Sequence, residues 1–386
     1  MSDYYQHEIR NAQSGSARRS FLGTLFHGFM AIVTLITVLT MLLTYCAPYI
    51  TPTGWLFPIL SLVAPATYIL TVLLMLYWII RWRWIWASIM IVLTVIGFFY
   101  LSLFLNIEFR RDYQTSTNDR HALTVMTYNV RMFYGPDQQS SADSVLSFIH
   151  TVDPDILCLQ EFYPRVDNQT KADFDTRMEG YESTLGVAEP DKLTNDQLCQ
   201  VIYSKHKIIR SGSIDGGQNT FCTRTVWADI VVGEDTLRVF NNHLRSTDLT
   251  AADDTFLTCH QYLSDTARDD KIRSIIRRFR DNTIARSAQA DSVAHAIALS
   301  PYARIVCGDF NDTPMSYTYH TIARGLDDAF RKKGKGFDHT FRGFNNTLRI
   351  DYVLLSPRLQ TLSYEVMKVD YSDHHPVVVQ FKRTDN

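Results

Sequence analysis

Residues 21–80 contain no Asp, Glu, Lys or Arg, and a second charge-free run covers 84–107. Nothing else in the sequence restricts the fold so strongly. A hydrocarbon core about 30 Å thick needs roughly 20 apolar helical residues. The runs divide into three stretches of at least that length, about 21–45, 55–80 and 84–107, separated by a Pro- and Gly-containing turn at 47–54 and by Arg81-Trp82-Arg83. A buried helix of a globular protein carries charge on some face over such a length. The region is therefore read as three membrane-spanning helices, with Trp55, Trp78, Trp82, Trp84 and Trp86 near their ends, where amphipathic indoles favour the interface. Arg18 and Arg19 could begin a signal peptide, but the apolar run that follows exceeds the ~7–15 residues of such a segment. A bulky Tyr45 also precedes Cys46, against a lipoprotein cleavage site. The first stretch is expected to be a retained span.

Basic residues in short flanks set orientation. Arg10, Arg18 and Arg19 precede the first span, residues 48–54 have none, and Arg81 and Arg83 separate the second from the third. This predicts a cytoplasmic N-terminus and an extracytoplasmic C-terminal portion in a multi-pass protein, with Arg110 and Arg111 pulling the other way. The expected organisation is a tail over 1–20, a membrane region over 21–107, a linker over 108–120 and a catalytic domain over 121–386.

Residues 112–386 hold 31 of the 38 basic and 37 of the 40 acidic residues, a net charge of −6 that argues against a general polyanion binder. Six cysteines and no C-x-x-C pair exclude a disulfide scaffold and disfavour a zinc ribbon. Cys158 and Cys307 lie in apolar runs and read as buried small side chains, whereas Cys199 and Cys222 could pair. Strands are expected at about 123–130, 155–160, 198–204, 223–232, 236–243, 303–307, 349–355, 362–369 and 376–381. Helices are expected at 141–150, over much of 251–280, and at about 283–299. Strands joined by short turns, as at Gly233-Glu234-Asp235, predict antiparallel pairing. The mixture points to a two-sheet α/β sandwich with helices outside.

Several strands end in groups useful for hydrolysis, and strand ends feeding loops are where sites are built. These are Thr127-Tyr128-Asn129-Val130-Arg131, Leu159-Gln160-Glu161, Asn241-Asn242-His243, Gly308-Asp309-Phe310-Asn311-Asp312 and Ser372-Asp373-His374-His375-Pro376. Singly, each has a plain explanation as a turn, a cap or a solvated residue. Asp351 is harder to dismiss, because an acid among Ile350, Tyr352, Val353 and Leu354 would be buried and needs a partner. Together, Asn129, Glu161, Asp309, Asn311 and Asp373 offer oxygen ligands suited to a hard cation such as Mg2+ or Mn2+. Asp309 and Asn311, two apart on an extended stretch, are expected to face the same side. His243 and His374 could bind or protonate an anionic oxygen, with Asp351 holding one imidazole in the useful tautomer. A metal, an acid–base pair and cationic groups around one oxyanion are what phosphoester cleavage needs.

These pieces, in this order, resemble the endonuclease/exonuclease/phosphatase superfamily (the DNase I-like fold) over about 121–383. The most specific elements are Gly308-Asp309-Phe310-Asn311, Arg349-Ile350-Asp351-Tyr352 and Ser372-Asp373-His374-His375-Pro376. The resemblance implies a four-layer α/β sandwich of two mixed sheets flanked by helices, and metal-dependent hydrolysis by single-step, in-line attack of water. It implies that Asn129 and Glu161 form the metal site, with Asp373 and His374 as the closing pair and Asp373 on the metal side. It further implies that His243 contacts the phosphate, that Asp309 orients or deprotonates water, that Asn311 binds phosphate and that Asp351 supports His374. Asn242 departs from the Thr or Ser common before the histidine. Arg131, Asn242, Arg277 and Arg278 are candidate substrate contacts, the last two from a basic, amphipathic stretch over 271–286.

A lipid headgroup or small phosphoester is the favoured substrate because the domain is acidic and tethered. The alternatives are a membrane-anchored nuclease, which would depend on phosphate contacts, and an inactive adaptor. The expected partners are the substrate and the bilayer, with no obligate protein partner.

Overall fold

The computed structural model describes residues 2–106, 122–162, 171–186, 200–214, 224–248, 251–259 and 268–384. The expected linker at 108–120 and the possible Cys199–Cys222 pair lie outside the described residues. Two compact units are present, one made of 1–46 with 63–99, the other of 47–62 with 100–386.

The first unit is built from α1 (Ser2–Cys46), most of α2 (Leu56–Ile80) and most of α3 (Trp84–Leu101). The segments Gly23–Tyr49, Leu56–Ile80 and Trp84–Leu101 are each long and apolar enough to cross a membrane. Met41, Leu74, Trp78, Ala87, Met90 and Leu93 pack inside the unit, while Phe29, Ile36, Leu39 and Phe99 point outward. That outward apolar surface is unfavourable in water and suits lipid. Several interior polar groups are satisfied within the unit, as an apolar surrounding favours, although the buried Thr94 hydroxyl has no partner among the described residues. Trp78 Nε1 donates to Thr34 Oγ1 at 2.8 Å, and the Thr34 and Thr37 hydroxyls bond the carbonyls four residues back at 2.7 and 2.8 Å. Contrary to expectation, the third helix stops at Leu101 instead of continuing to 107. Asn106 instead exchanges two backbone hydrogen bonds with Gly336, at 3.0 and 2.8 Å, which a helix would forbid.

The second unit holds two mixed six-stranded sheets flanked by helices. The first sheet contains β1 (Leu123–Asn129), β2 (Ile156–Gln160), β3 (Glu182–Thr184), β4 (Gln200–Ser204), β11 (Leu359–Val366) and β12 (Val377–Arg383), in the order β11-β12-β1-β2-β4-β3. The second contains β5 (Ile208–Ile214), β6 (Thr225–Val232), β7 (Asp235–His243), β8 (Ala303–Asp309), β9 (Asp327–Asp328) and β10 (Asp351–Leu355), in the order β5-β6-β7-β8-β10-β9. Two pairs are parallel, β1/β2 and β7/β8. Parallel neighbours need a crossover. The helix α4 (Ala142–Val152) supplies the first, burying Ala142, Val145, Leu146 and Ile149 at helical spacing. The second contains α6 (Ala251–Thr258) and α7 (Arg268–Ala298). The helices α5 (Lys171–Arg177), α8 (Tyr317–Ile322) and α9 (Ala329–Lys333) are short.

Side chains alternate across each strand, so Val125, Ile156, Cys158 and Ile202 face the inter-sheet core with Val226, Val239, Ile305, Cys307 and Val353. Their neighbours Met126, Leu157, Leu159 and Tyr203 face the opposite way and pack with α4 and Phe174. Both Cys158 and Cys307 are fully buried, as their apolar context predicts. The helix break expected near 281 is absent. α7 runs through Asp281-Asn282 because the buried Asn282 amide reaches outside the helix, accepting from Arg245 Nε at 2.8 Å and donating to the Thr247 carbonyl at 3.1 Å. Its side chain therefore does not compete for the helical backbone.

Gly308 sets the closeness of β7 and β8 just before the strand ends. Its φ is +121°, and a Cβ there would lie 2.1 Å from the Asn242 carbonyl oxygen. Gly308→Ala is expected to destabilise the unit by roughly 2–3 kcal/mol through strain and overpacking. The denaturant midpoint at unchanged slope is the measurement, and a loss below about 0.5 kcal/mol would show that β8 can back away freely.

Candidate active site

Strand register assembles the polar ends. In the first sheet Asn129 pairs with Gln160, so Glu161 follows immediately beyond the pair. In the second, His243 pairs with Asp309 across β7/β8, and Asp309 pairs with Asp351 across β8/β10. Beneath these ends the sheets are tied together by polar contacts. Gln160 Nε2 donates to Asn241 Oδ1 at 2.7 Å, and Asn241 Nδ2 donates to the Leu159 and Val201 carbonyls, both at 2.9 Å. All four residues are buried, where such bonds are strong and fix position.

The cluster itself is continuous. Asn129 Nδ2 donates to Glu161 Oε1 and to Asp309 Oδ2, each at 3.1 Å. His243 Nε2 lies 3.5 Å from Glu161 Oε1 and 3.9 Å from Asp309 Oδ2. His374 Nδ1 donates to Asp351 Oδ2 at 2.9 Å, leaving Nε2 aimed at Asp309 Oδ2, 3.7 Å away. Thr340 Oγ1 accepts from the Ile350 and Asp351 amides at 3.1 Å, holding the start of β10. Ser372 Oγ donates to the Asn129 carbonyl at 2.8 Å and so ties the Asp373-His374 loop to β1. Asp373 Oδ2 meets Arg131 Nε at 3.4 Å.

Burial opposes a charge on His374, but Asp351, Asp309 and Asp373 outweigh it and raise its pKa well above the ordinary value. Burial first, and Asp351 second, push the Asp309 pKa up, against the lowering influence of both histidines. His375, by contrast, is pushed down to about 4 by burial and Lys368, and its Nδ1 faces the Val369 carbonyl at 3.2 Å. It is a neutral structural residue. Arg131, Glu161 and Asn311 adopt φ of +46°, +50° and +52°, a strained conformation concentrated at the site.

Asn129, Glu161, His243, Asp309, Asp351, Asp373 and His374 thus come together, and Arg131 lies beside them. Other expectations need correction. Asn311 is not on an extended stretch, because its amide closes a turn onto Asp309 Oδ1 at 2.7 Å and its Nδ2 donates to the Leu244 carbonyl. It nevertheless lines the same cavity as Asp309. Asn242 is fully buried and points away from His243, as strand alternation demands. It accepts from Thr225 Oγ1 and donates to the Cys307 carbonyl, both at 2.8 Å, so it is a sheet residue and not a substrate contact. Arg278 is engaged by Asp253 at 2.8 Å and by the Asp248 carbonyl at 2.7 Å, and Arg277 is exposed on α7 away from the cavity lining.

The structure adds residues that sequence reasoning passed over. Gln160, Thr340 and Ser372 position the site, and a cavity of about 380 Å³ opens beside Glu161, Asp309, Asp373 and His374. The donor chemistry suits a hard cation. Glu161 and Asp373 are partly accessible carboxylates, Glu161 is bonded to the Asn129 amide, and no thiol is in the cavity lining. Asp309, Asp351 and His374 are also close enough together to share an ion. The Nδ1–Asp351 hydrogen bond already uses one ring nitrogen of His374.

The family described as "Endonuclease/Exonuclease/phosphatase family" matches residues 126–374, and one described as a domain of unknown function matches 27–104. The endonuclease/exonuclease/phosphatase from Bacteroides vulgatus superposes with a TM-score of 0.50 at 18% identity, covering 68% of this chain and 99% of that chain. The family protein from Bacteroides thetaiotaomicron gives 0.50 at 18% identity, with coverages of 68% and 98%. At that identity the likeness concerns the fold. No curated protein matches the chain.

Proposed function

The chain belongs to the endonuclease/exonuclease/phosphatase family, whose members hydrolyse phosphoester bonds, and from that premise we propose that it is a membrane-anchored, Mg2+- or Mn2+-dependent hydrolase of a lipid or small phosphoester. The observation that carries this reading is the junction of Asn129, Glu161, His243, Asp309, Asp351 and His374 at the ends of strands from two sheets, where Asn129 bonds Glu161 and Asp309, His374 bonds Asp351, and the His243 and His374 imidazoles lie 3.9 and 3.7 Å from Asp309 Oδ2.

Glu161, Asn129 and Asp373 are the residues that would hold the ion. A bound divalent cation supplies Lewis-acid polarisation of a phosphoryl oxygen and offsets developing negative charge. Asp309 positions the attacking water and takes its proton, a task favoured by a carboxyl whose pKa burial and Asp351 have raised. The water oxygen bonds to phosphorus as the bond to the leaving oxygen breaks. His374, held by Asp351, directs its Nε2–H at the charge that builds on the phosphoryl oxygens. His243 stands on the leaving side and can protonate the departing oxygen.

Glu161→Ala should lower kcat by roughly 10²–10³, the usual effect of deleting one key electrostatic group. The assay is hydrolysis of bis-p-nitrophenyl phosphate by the full chain in lipid nanodiscs, with EDTA abolishing turnover and Mg2+ restoring it. Near wild-type turnover by the variant at saturating Mg2+ would remove Glu161 from the site. The basic flanks of the first two spans support a catalytic unit outside the cytoplasm. Protease added to intact cells should then degrade it, and protection would reverse the orientation.

A further inference from the structure

The lining of the cavity beside the catalytic group combines two chemistries. Glu161, Asp309, Asn311, Asp373 and His374 are joined by further polar groups, among them Thr247 and Arg286. Apolar side chains come from four separate segments, among them Ile59 and Leu62 of α2, Leu257 of α6, Ile276 of α7 and Phe341 ahead of β10. At about 380 Å³ it falls within the size range of small-ligand sites.

The α2 wall is built in. Ser61 Oγ donates to the Met315 carbonyl at 3.0 Å, and Thr313 Oγ1 approaches the Ser61 carbonyl at 3.5 Å. Both partners lie on the loop that leaves Asp309. Leu60 and Ser61 are buried and belong to the same compact unit as that loop. The first residues of a helix long and apolar enough to cross a membrane therefore form part of the cleft. On α7, Ile275, Ile276 and Phe279 turn to the cavity while Arg273 and Arg277 remain exposed, which accounts for the amphipathic pattern of that helix.

We propose that this cavity is the hydrocarbon subsite of the enzyme, so that its substrate is an amphiphilic phosphoester lipid whose ester lies at the acid–histidine end and whose chain enters between α2 and α7. The proposal rests on the hydrolase reading and specifies its substrate class. An apolar wall offers nothing to the polar edge of a nucleobase, and a soluble portion of net charge −6 has no cationic surplus to follow a nucleic-acid backbone. A buried alkyl chain gains from each methylene removed from water.

The test is kcat/KM of the full chain in nanodiscs on p-nitrophenyl alkyl phosphate diesters from methyl to hexyl, with Mg2+. The expected rise is two- to fourfold per methylene, at least ~30-fold over the series. Ile276→Gln and Leu62→Gln should each cut the hexyl-to-methyl ratio by at least about fivefold. Comparing that ratio between variant and wild type cancels both the active fraction and the partition of the esters into the same bilayer, so neither a folding defect nor partition can imitate its fall. A flat series with Mg2+-dependent methyl-ester turnover overturns the subsite alone. Single-stranded DNA cleaved faster than every alkyl ester, and indifferent to both substitutions, overturns it in favour of a nuclease. No turnover of any ester or of DNA overturns the hydrolase reading and the subsite with it.

Discussion

Asp351→Asn is expected to lower kcat by roughly 10³-fold while KM moves by no more than about threefold and the melting temperature changes little. The substitution preserves shape but not charge. Asp351 is buried and its Oδ2 accepts the Nδ1–H of His374 at 2.9 Å. An amide can present its NH2 to Nδ1 instead, which leaves a neutral ring with its proton on Nε2, and it no longer compensates an imidazolium, so the positive charge facing the phosphoryl oxygens is lost. In catalytic groups of this design, losing the acid behind the histidine lowers turnover by three to four orders of magnitude. The split between kcat and KM separates this positioning role from a structural one. A variant within tenfold of wild-type kcat would show that His374 is oriented by its other contacts, among them Phe341, whose ring centre is 5.0 Å away.

Arg349→Ala should be the most destabilising of the single substitutions considered, by roughly 3–5 kcal/mol. The Arg349 side chain is 4% exposed, and both Nη atoms lie 3.1 Å from Asp328 Oδ2. One of them also donates to the Leu103 carbonyl at 2.8 Å, and the guanidinium stacks over Phe330 and Tyr352 at 4.4 and 4.7 Å. Removing it leaves the Asp328 carboxylate buried with, among the described residues, Tyr319 Oη at 2.7 Å and the Phe330 amide at 2.9 Å as its remaining donors. A domain of this size should melt about 6–20 °C lower. The double variant R349L/D328N, which removes the orphan charge as well, should recover at least half of the loss. A single-variant loss below about 1 kcal/mol would show that water reaches Asp328.

The parts of the fold that the sequence discloses are those where one simple rule governs. Charge-free runs mark the three helices that are long and apolar enough to cross a membrane, because a charged side chain is costly in hydrocarbon. Apolar runs ending in Asn129, Glu161, His243 and Asp309 mark strands whose ends share a site, and the acid inside 349–355 finds its histidine because a buried carboxylate must have a partner. The failures arise where long-range contacts decide. Asn311 looked extended until its amide closed onto Asp309. Asn242 could have been excluded by strand alternation alone, since His243 takes the opposite face. Asp281-Asn282 resembled a helix end because its tertiary partners, Arg245 and Thr247, lie more than thirty residues away. Pro58, Ile59 and Leu62 carried no local sign of a role in the cleft, being indistinguishable from the rest of an apolar span.

Asn106, clasped to Gly336, and Leu103, gripped by Arg349, change what excision of the hydrolase means. A soluble fragment begun at residue 112 would lack both grips and the 47–62 wall. Its specificity would then report a damaged cleft, with chain-length preference erased even if simple diesters were still cleaved.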